Sequence, residues 1–124
     1  MPKRLPKSFS CPTEFALEVL GGKWKTVILC NLKQKPCRYA ELRKLVPKLS
    51  DKMLTERLRD LLDRGLIAKS KAAANGKSEV YMLTPKGRSL SRPLKELYEW
   101  GRQNAAAYNV KVGMPLRDLA GKVE

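Results

Sequence analysis

The sequence predicts a mainly α fold with one small β-hairpin, an α+β arrangement, on three observations. A helix opening at Ser50 carries Leu54, Leu58, Leu61 and Leu62 at i, i+4, i+7 and i+8 spacing and stops at Gly65. Directly after it, two strand-like runs, Leu66 to Lys71 and Glu79 to Thr84, flank an Asn75-Gly76 dipeptide, which is hairpin-turn chemistry. Before it, helix-like stretches are separated by Gly21-Gly22, Pro36 and Pro47.

The elements follow in order behind a basic N-terminal arm at residues 1–10. Phe15, Val19 and Leu20 lie at helical spacing behind Pro12, a residue suited to a first turn, and Gly21-Gly22 ends that helix. A second helix is expected from Lys23, with Trp24, Val27, Ile28 and Leu32 as its apolar stripe and Pro36 as its stop. A third, shorter one runs from Tyr39 to Val46 through Leu42 and Leu45 until Pro47 prevents continuation. Ser50 caps the fourth, and Asp51 suits the positive end of its dipole. The outer side of that helix carries Lys52, Thr55, Glu56, Arg59 and Asp63.

The hairpin loop at residues 72–78 is small and polar, with Lys69, Lys71 and Lys77 on or near it, as in a mobile wing. Thr84 and Pro85 cap and open one long last helix bearing Leu90, Leu94, Leu97, Tyr98 and Trp100. A helix pair joined by a short turn, with the second member followed by a hairpin, is a winged helix-turn-helix pattern. It occupies residues 11–108, with dimerising first and last helices, and residues 109–124 form a tail.

A chain of 124 residues with 43% hydrophobic content builds one modest core, so one domain carries the function. The 26 lysines and arginines outnumber the 12 acids, giving a formal charge of +14 that favours a polyanionic partner. The excess is segmental: between Gly22 and Ala40, Lys23, Lys25, Lys33, Lys35 and Arg38 occur without an acid. The longest apolar runs are short, such as Val27 to Cys30, and no apolar stretch follows the basic N-terminus. No membrane partner is therefore expected, and the expected location is cytoplasmic. Cys11, Cys30 and Cys37 lack paired spacing and read as free thiols. Histidine is absent, which removes the usual general base and a common metal ligand. No phosphate-binding loop or carboxylate pair replaces it, so the expectation is a protein that is not an enzyme, with neither metal nor cofactor.

The motifs Cys11-Pro12, Ala16-Leu17, Gly21-Gly22-Lys23-Trp24-Lys25, Ile28-Leu29 and Arg38-Tyr39 with Glu41-Leu42 occur in order. Ser50, Lys52-Met53-Leu54-Thr55, Arg57-Leu58-Arg59, Leu61, Gly65-Leu66, Tyr81, Leu83-Thr84, Gly87 and Trp100-Gly101 follow. Together they resemble the HxlR family of transcription regulators over about residues 11 to 101. The resemblance implies a winged helix-turn-helix homodimer, paired through its first and last helices, that represses or activates genes. Cys37 and the alanine-rich wing depart from the usual pattern. Some members of that family sense oxidants or electrophiles through an N-terminal cysteine, which makes Cys11 a candidate redox sensor by position; its other reading is a structural thiol.

The expected function is regulation through double-stranded DNA, on an inverted-repeat operator, with a small-molecule or redox effector as a further partner. Ser50, Lys52, Thr55, Arg57 and Arg59 are the candidates for base or phosphate contact from a helix in the major groove. The competing reading of that face is a solvated surface balanced by Asp51, Glu56, Asp60 and Asp63. Arg57, nearer the apolar flank, has the second option of holding the helix pair together. Lys23, Lys25, Arg38, Lys69, Lys71 and Lys77 are assigned to phosphates, because lysine positions without reading sequence. Phe15, Leu94, Leu97, Tyr98 and Trp100 are the expected dimer interface. Trp24 and Trp100 read as packing residues, Cys30 as core filler, and Cys37 as exposed in a connection. The alternative is an architectural or RNA-associated basic protein; with 6% aromatic residues the chain offers no evident stacking platform.

Overall fold

A computed structural model describes residues 4–21, 23–71 and 79–113, with the Lys71 side chain excepted. The Asn75-Gly76 turn, Lys77, Gly22, the first three residues of the arm and residues 114–124 of the tail lie outside them. The elements run α1 (Pro12–Leu20), α2 (Lys25–Gln34), β1 (Cys37–Arg38), α3 (Tyr39–Leu45), α4 (Asp51–Asp63), β2 (Ile67–Lys71) and β3 (Glu79–Leu83). Then come α5 (Pro85–Arg88), α6 (Ser91–Asn104) and a 3₁₀ turn at Ala105–Tyr108. The sheet is antiparallel with order β1-β3-β2, pairing Ile67 with Leu83 and Lys71 with Glu79.

α4 forms where its caps dictate. The Ser50 hydroxyl accepts the Met53 N–H at 3.1 Å, satisfying one orphan donor. At the other end Gly65 takes φ +75°, and Leu66 and Gly65 donate to the carbonyls of Leu61 and Leu62, both at 3.0 Å. That pair of bonds is the Schellman stop, which needs the left-handed conformation glycine adopts without a Cβ penalty. Leu54, Leu58 and Leu61 are buried against Ile28, Leu29 and Leu32 of α2, Leu42 of α3 and Ile67 and Leu83 of the sheet, which are all members of one core.

Three expectations are corrected. Cys37 is 1% exposed rather than open to solvent. It forms β1 beside Tyr81, and strand alternation sends its side chain inward and that of Arg38 outward. The second helix starts at Lys25, two residues late, because Trp24 sits at φ 82° as its N-cap while its ring packs on the core. The last helix is two helices. Pro93 has no N–H for the Ser89 carbonyl and clashes with it in a continuous helix, but it is tolerated in the first turn of α6. Thr84 caps α5 by accepting the Gly87 N–H at 3.0 Å. A Cβ at Gly87 would lie 2.0 Å from the Leu66 carbonyl oxygen, so only glycine lets α5 seat against the start of β2.

Candidate nucleic-acid interface

The helix pair α3 and α4 is braced from above and below. Glu41 begins α3 by accepting the Arg38 N–H at 2.8 Å, and that bond holds its carboxyl below the usual range. In the turn between the helices the Arg43 guanidinium donates to the Leu49 carbonyl at 2.6 Å and pairs with Asp51 at 2.8 Å. The Tyr39 hydroxyl donates to the same Asp51 carboxylate at 2.8 Å. Asp51 is thereby tied down at the end of α4 where an approaching phosphate would otherwise meet an unpaired negative charge.

Beneath α4 lies an ion cluster. The Lys25 ammonium, 4% exposed as a residue, donates to the Val19 carbonyl at 3.1 Å and pairs with Asp60, which Arg64 also approaches at 3.2 Å. Burial pushes the Asp60 carboxyl up, but the Lys25 and Arg64 charges outweigh it and the net direction is down. The cluster ties the last turn of α1, the start of α2 and the C-terminal half of α4 together. Lys25 is therefore withdrawn from the expected phosphate contacts: its charge is spent on Asp60 and cannot reach a duplex. Arg57 donates from Nε to the Lys23 carbonyl at 2.9 Å, which ties α4 to the connection before α2 rather than to α3.

What remains outward on α4 is Lys52, Thr55, Glu56 and Arg59 with Asp63 at its end, all exposed. Lys52, Thr55 and Arg59 are spaced i, i+3 and i+7, so they share a face, and the Lys52 and Arg59 side chains have no ion-pair or hydrogen-bond partner among the described residues. Ser50, exposed, is engaged as the cap. Around this face Lys23 is exposed with its ammonium 5.7 Å from the Trp24 ring, and Arg38 is exposed on β1. On the wing Lys69 pairs with Glu79 at 3.3 Å and lies over Tyr81. Lys71 ends β2 with its side chain outside the described residues, as is all of Lys77. Sequence reasoning missed Arg43, Asp60 and Arg64 as braces. A basic residue in the last turn of α3, just before a turn rich in open carbonyls, was the signal for Arg43.

α1 and α6 each expose apolar side chains. Phe15 on α1 is 46% exposed, and Leu97 and Trp100 on α6 are 52% and 57% exposed. Leu17, Tyr108, Val110 and Val112, not assigned to the interface from sequence, are also exposed. Leu94 is corrected: at 7% exposure it belongs to the protomer's own core and is not available to a partner. Tyr98 is half-buried. Trp100 is therefore not packed on the core as Trp24 is; its ring lies 6.3 Å from that of Tyr108.

The thiols differ. Cys11 is exposed at the N-cap of α1, where the Glu14 and Thr13 N–H groups push its pKa down. Burial pushes the Cys30 and Cys37 thiols up, and Cys30 packs against the core as expected. Among the described residues no cluster of three or more metal-ligating side chains occurs, and no helix is long and apolar enough to cross a membrane.

Residues 19–109 match the HxlR-like helix-turn-helix family. The chain is 41% identical over 95 residues to the HTH-type transcriptional regulator YtcD of Bacillus subtilis, covering 77% of this chain and 75% of that one. It is 38% identical over 94 residues to an HTH-type transcriptional regulator of Methanothermobacter thermautotrophicus, covering 76% of this chain and 72% of that one. Among solved structures, the redox regulator HypR in its reduced form superposes with a TM-score of 0.74 at 31% identity, over 80% of this chain and 98% of that chain.

Proposed function

Because this chain belongs to the HxlR-like helix-turn-helix family and is a transcription regulator of the helix-turn-helix type, we propose that it binds an inverted-repeat DNA operator as a homodimer. The observation that carries this reading is the outward face of α4: Lys52 and Arg59 keep their charges free beside Thr55 and Glu56, while the neighbouring acid Asp51 is paired with Arg43 and accepts from the Tyr39 hydroxyl. Arginine and lysine on such a face reach guanine acceptors in the major groove. Lys23 and Arg38, with the wing lysines Lys69, Lys71 and Lys77, add phosphate contacts that position the helix without reading bases. The exposed apolar residues of α1 and α6, Phe15, Leu97 and Trp100, supply the dimer contact. Selection of the preferred duplex from a random pool, followed by footprinting and sedimentation, tests the reading. Two protected half-sites about one helical turn or a multiple apart, bound by a dimer, are expected. A monomer with no duplex preference would replace it with the architectural or RNA-associated alternative.

A redox input is supported by Cys11, whose exposed thiol sits at a helix N-terminus with a lowered pKa, and by likeness to a protein named as a redox regulator. Cys11→Ser should bind the operator as the parent does under reducing conditions and lose any response to diamide. A response that survives the substitution removes Cys11 from the mechanism.

A further inference from the structure

Asp51 opens α4, and its carboxylate is held by two donors that are themselves fixed. The Arg43 Nε and the Tyr39 hydroxyl both reach Oδ1, each at 2.8 Å. Arg43 is anchored on the turn by the Leu49 carbonyl, and the Tyr39 ring packs on the core. Oδ2 has no hydrogen-bond or ion-pair partner among the described residues, and the side chain is 75% exposed. A carboxylate tethered through one oxygen presents the other as an acceptor in a set direction, with little side-chain freedom left to lose on contact. Asp51, Thr55 and Arg59 follow at i, i+4 and i+8, one ridge of the helix, so the acceptor stands in line with residues proposed for base contact. The charge that would keep an acid away from phosphates is offset by Arg43.

We propose that Asp51 is a specificity-determining residue: it selects a cytosine in each operator half-site by accepting from the N4 amino group in the major groove, with Arg43 and Tyr39 as the residues that position it. Base chemistry narrows the choice to cytosine. Guanine and thymine turn acceptor oxygens toward the groove and repel a carboxylate, and adenine sets its N7 acceptor beside its amino donor. Cytosine presents its amino group alone. Recognition helices contact bases from their N-terminal residues, which is where Asp51 stands. This role rests on the operator-binding reading above, and the two fail differently in the test.

The test uses the full chain at one fixed salt concentration, with the duplex selected from the random pool and single-position variants of it. One cytosine per half-site is expected whose replacement by thymine weakens binding about tenfold, the loss of one hydrogen bond to a charged group. N4-methylcytosine at that position should weaken binding as thymine does. One N4 hydrogen pairs with guanine, and the methyl group replaces the other, which faces the groove. In Asp51→Ala, shown by a melt to be folded, the cytosine, thymine and N4-methylcytosine duplexes should bind within about twofold of one another, while preferences at other positions persist. Tyr39→Phe keeps the carboxylate and removes one tether, so its cytosine preference should fall between those of the parent and Asp51→Ala. A preference unmoved in Tyr39→Phe refutes the tethering. If Asp51→Ala weakens every duplex alike and the cytosine preference survives, Asp51 only braces the helix pair and the proposal fails. Full affinity for the N4-methylcytosine duplex overturns it without any variant. No preferred duplex at all overturns the operator reading, and this role with it.

Discussion

α4 and α6 are both amphipathic helices of similar length, yet they finish the fold in opposite conditions. α4 covers Leu54, Leu58 and Leu61 completely and leaves Lys52 and Arg59 outside with no ion-pair or hydrogen-bond partner among the described residues. α6 buries Leu94 but leaves Leu97 and Trp100 in solvent; its Glu99 and Arg102 pair at 2.7 Å, while Arg92, Lys95 and Glu96 have no ion-pair or hydrogen-bond partner among the described residues. Both helices keep unpaired charge, so what sets them apart is the uncovered apolar surface that α6 has and α4 lacks. Ionic groups in solvent suit a polyanion at long range, and uncovered aromatic surface suits a second apolar surface at contact.

The comparison breaks most visibly if the covered face of α4 is emptied. Leu58→Ala should cost about 2–5 kcal/mol of unfolding free energy in a urea melt, because a fully enclosed leucine leaves a cavity. It should impair DNA binding and dimerisation together. Lys25→Met should cost about 3 kcal/mol, since Asp60 then stays buried with Arg64 as its remaining partner. A near-neutral melt for that variant would mean the cluster does not brace α4.

The same cluster sets a pH dependence. Asp60 has a lowered carboxyl pKa in the folded protein, so it contributes stability that is complete above the unfolded carboxylate value of about 4. That contribution is lost as pH falls through the lowered folded value, because the unfolded chain takes up its proton first. Melts across this acid range should steepen toward low pH in the parent and flatten in Asp60→Asn. An identical acid limb in both would assign the loss to other groups.

The apolar surface is sharpened by Leu97→Asp. It removes only exposed surface from the protomer, so it should leave the melt of the isolated chain within about 0.5 kcal/mol while shifting sedimentation toward monomer. Unaltered dimerisation would move the interface elsewhere. The smallest effect is expected at Lys23→Ala, which should weaken specific and scrambled duplexes alike and lower the salt slope by about one.

The difference between the two helices is partly legible in the sequence. The leucine spacing of α4, its Ser50 cap and its Gly65 stop are local signals, and local signals fix an element's position and its inward face. The i, i+3 and i+7 relation of Lys52, Thr55 and Arg59 follows from the same period. Partnerships between distant residues are not written in spacing. Lys25 looked like one more basic residue beside Lys23, and nothing nearby shows that its partner is Asp60, 35 positions away. Cys37 looked exposed because a two-residue strand is too short for alternation to reveal. Leu94 could not be separated from Leu97 by pattern alone, since only the packing against α2 decides which stays outside. Pro93 was readable, but the apolar stripe running on to Trp100 suggested one continuous helix across it.

Whether the outward face of α4 reads base sequence is decided by Arg59→Ala. Affinities for the selected duplex and a scrambled duplex would be compared at one fixed salt concentration, with a melt confirming that the variant is folded. The expected result is a loss of roughly 1–3 kcal/mol on the selected duplex and a much smaller loss on the scrambled one. Equal losses on both would show that Arg59 meets only phosphate, and would contradict base reading by this face.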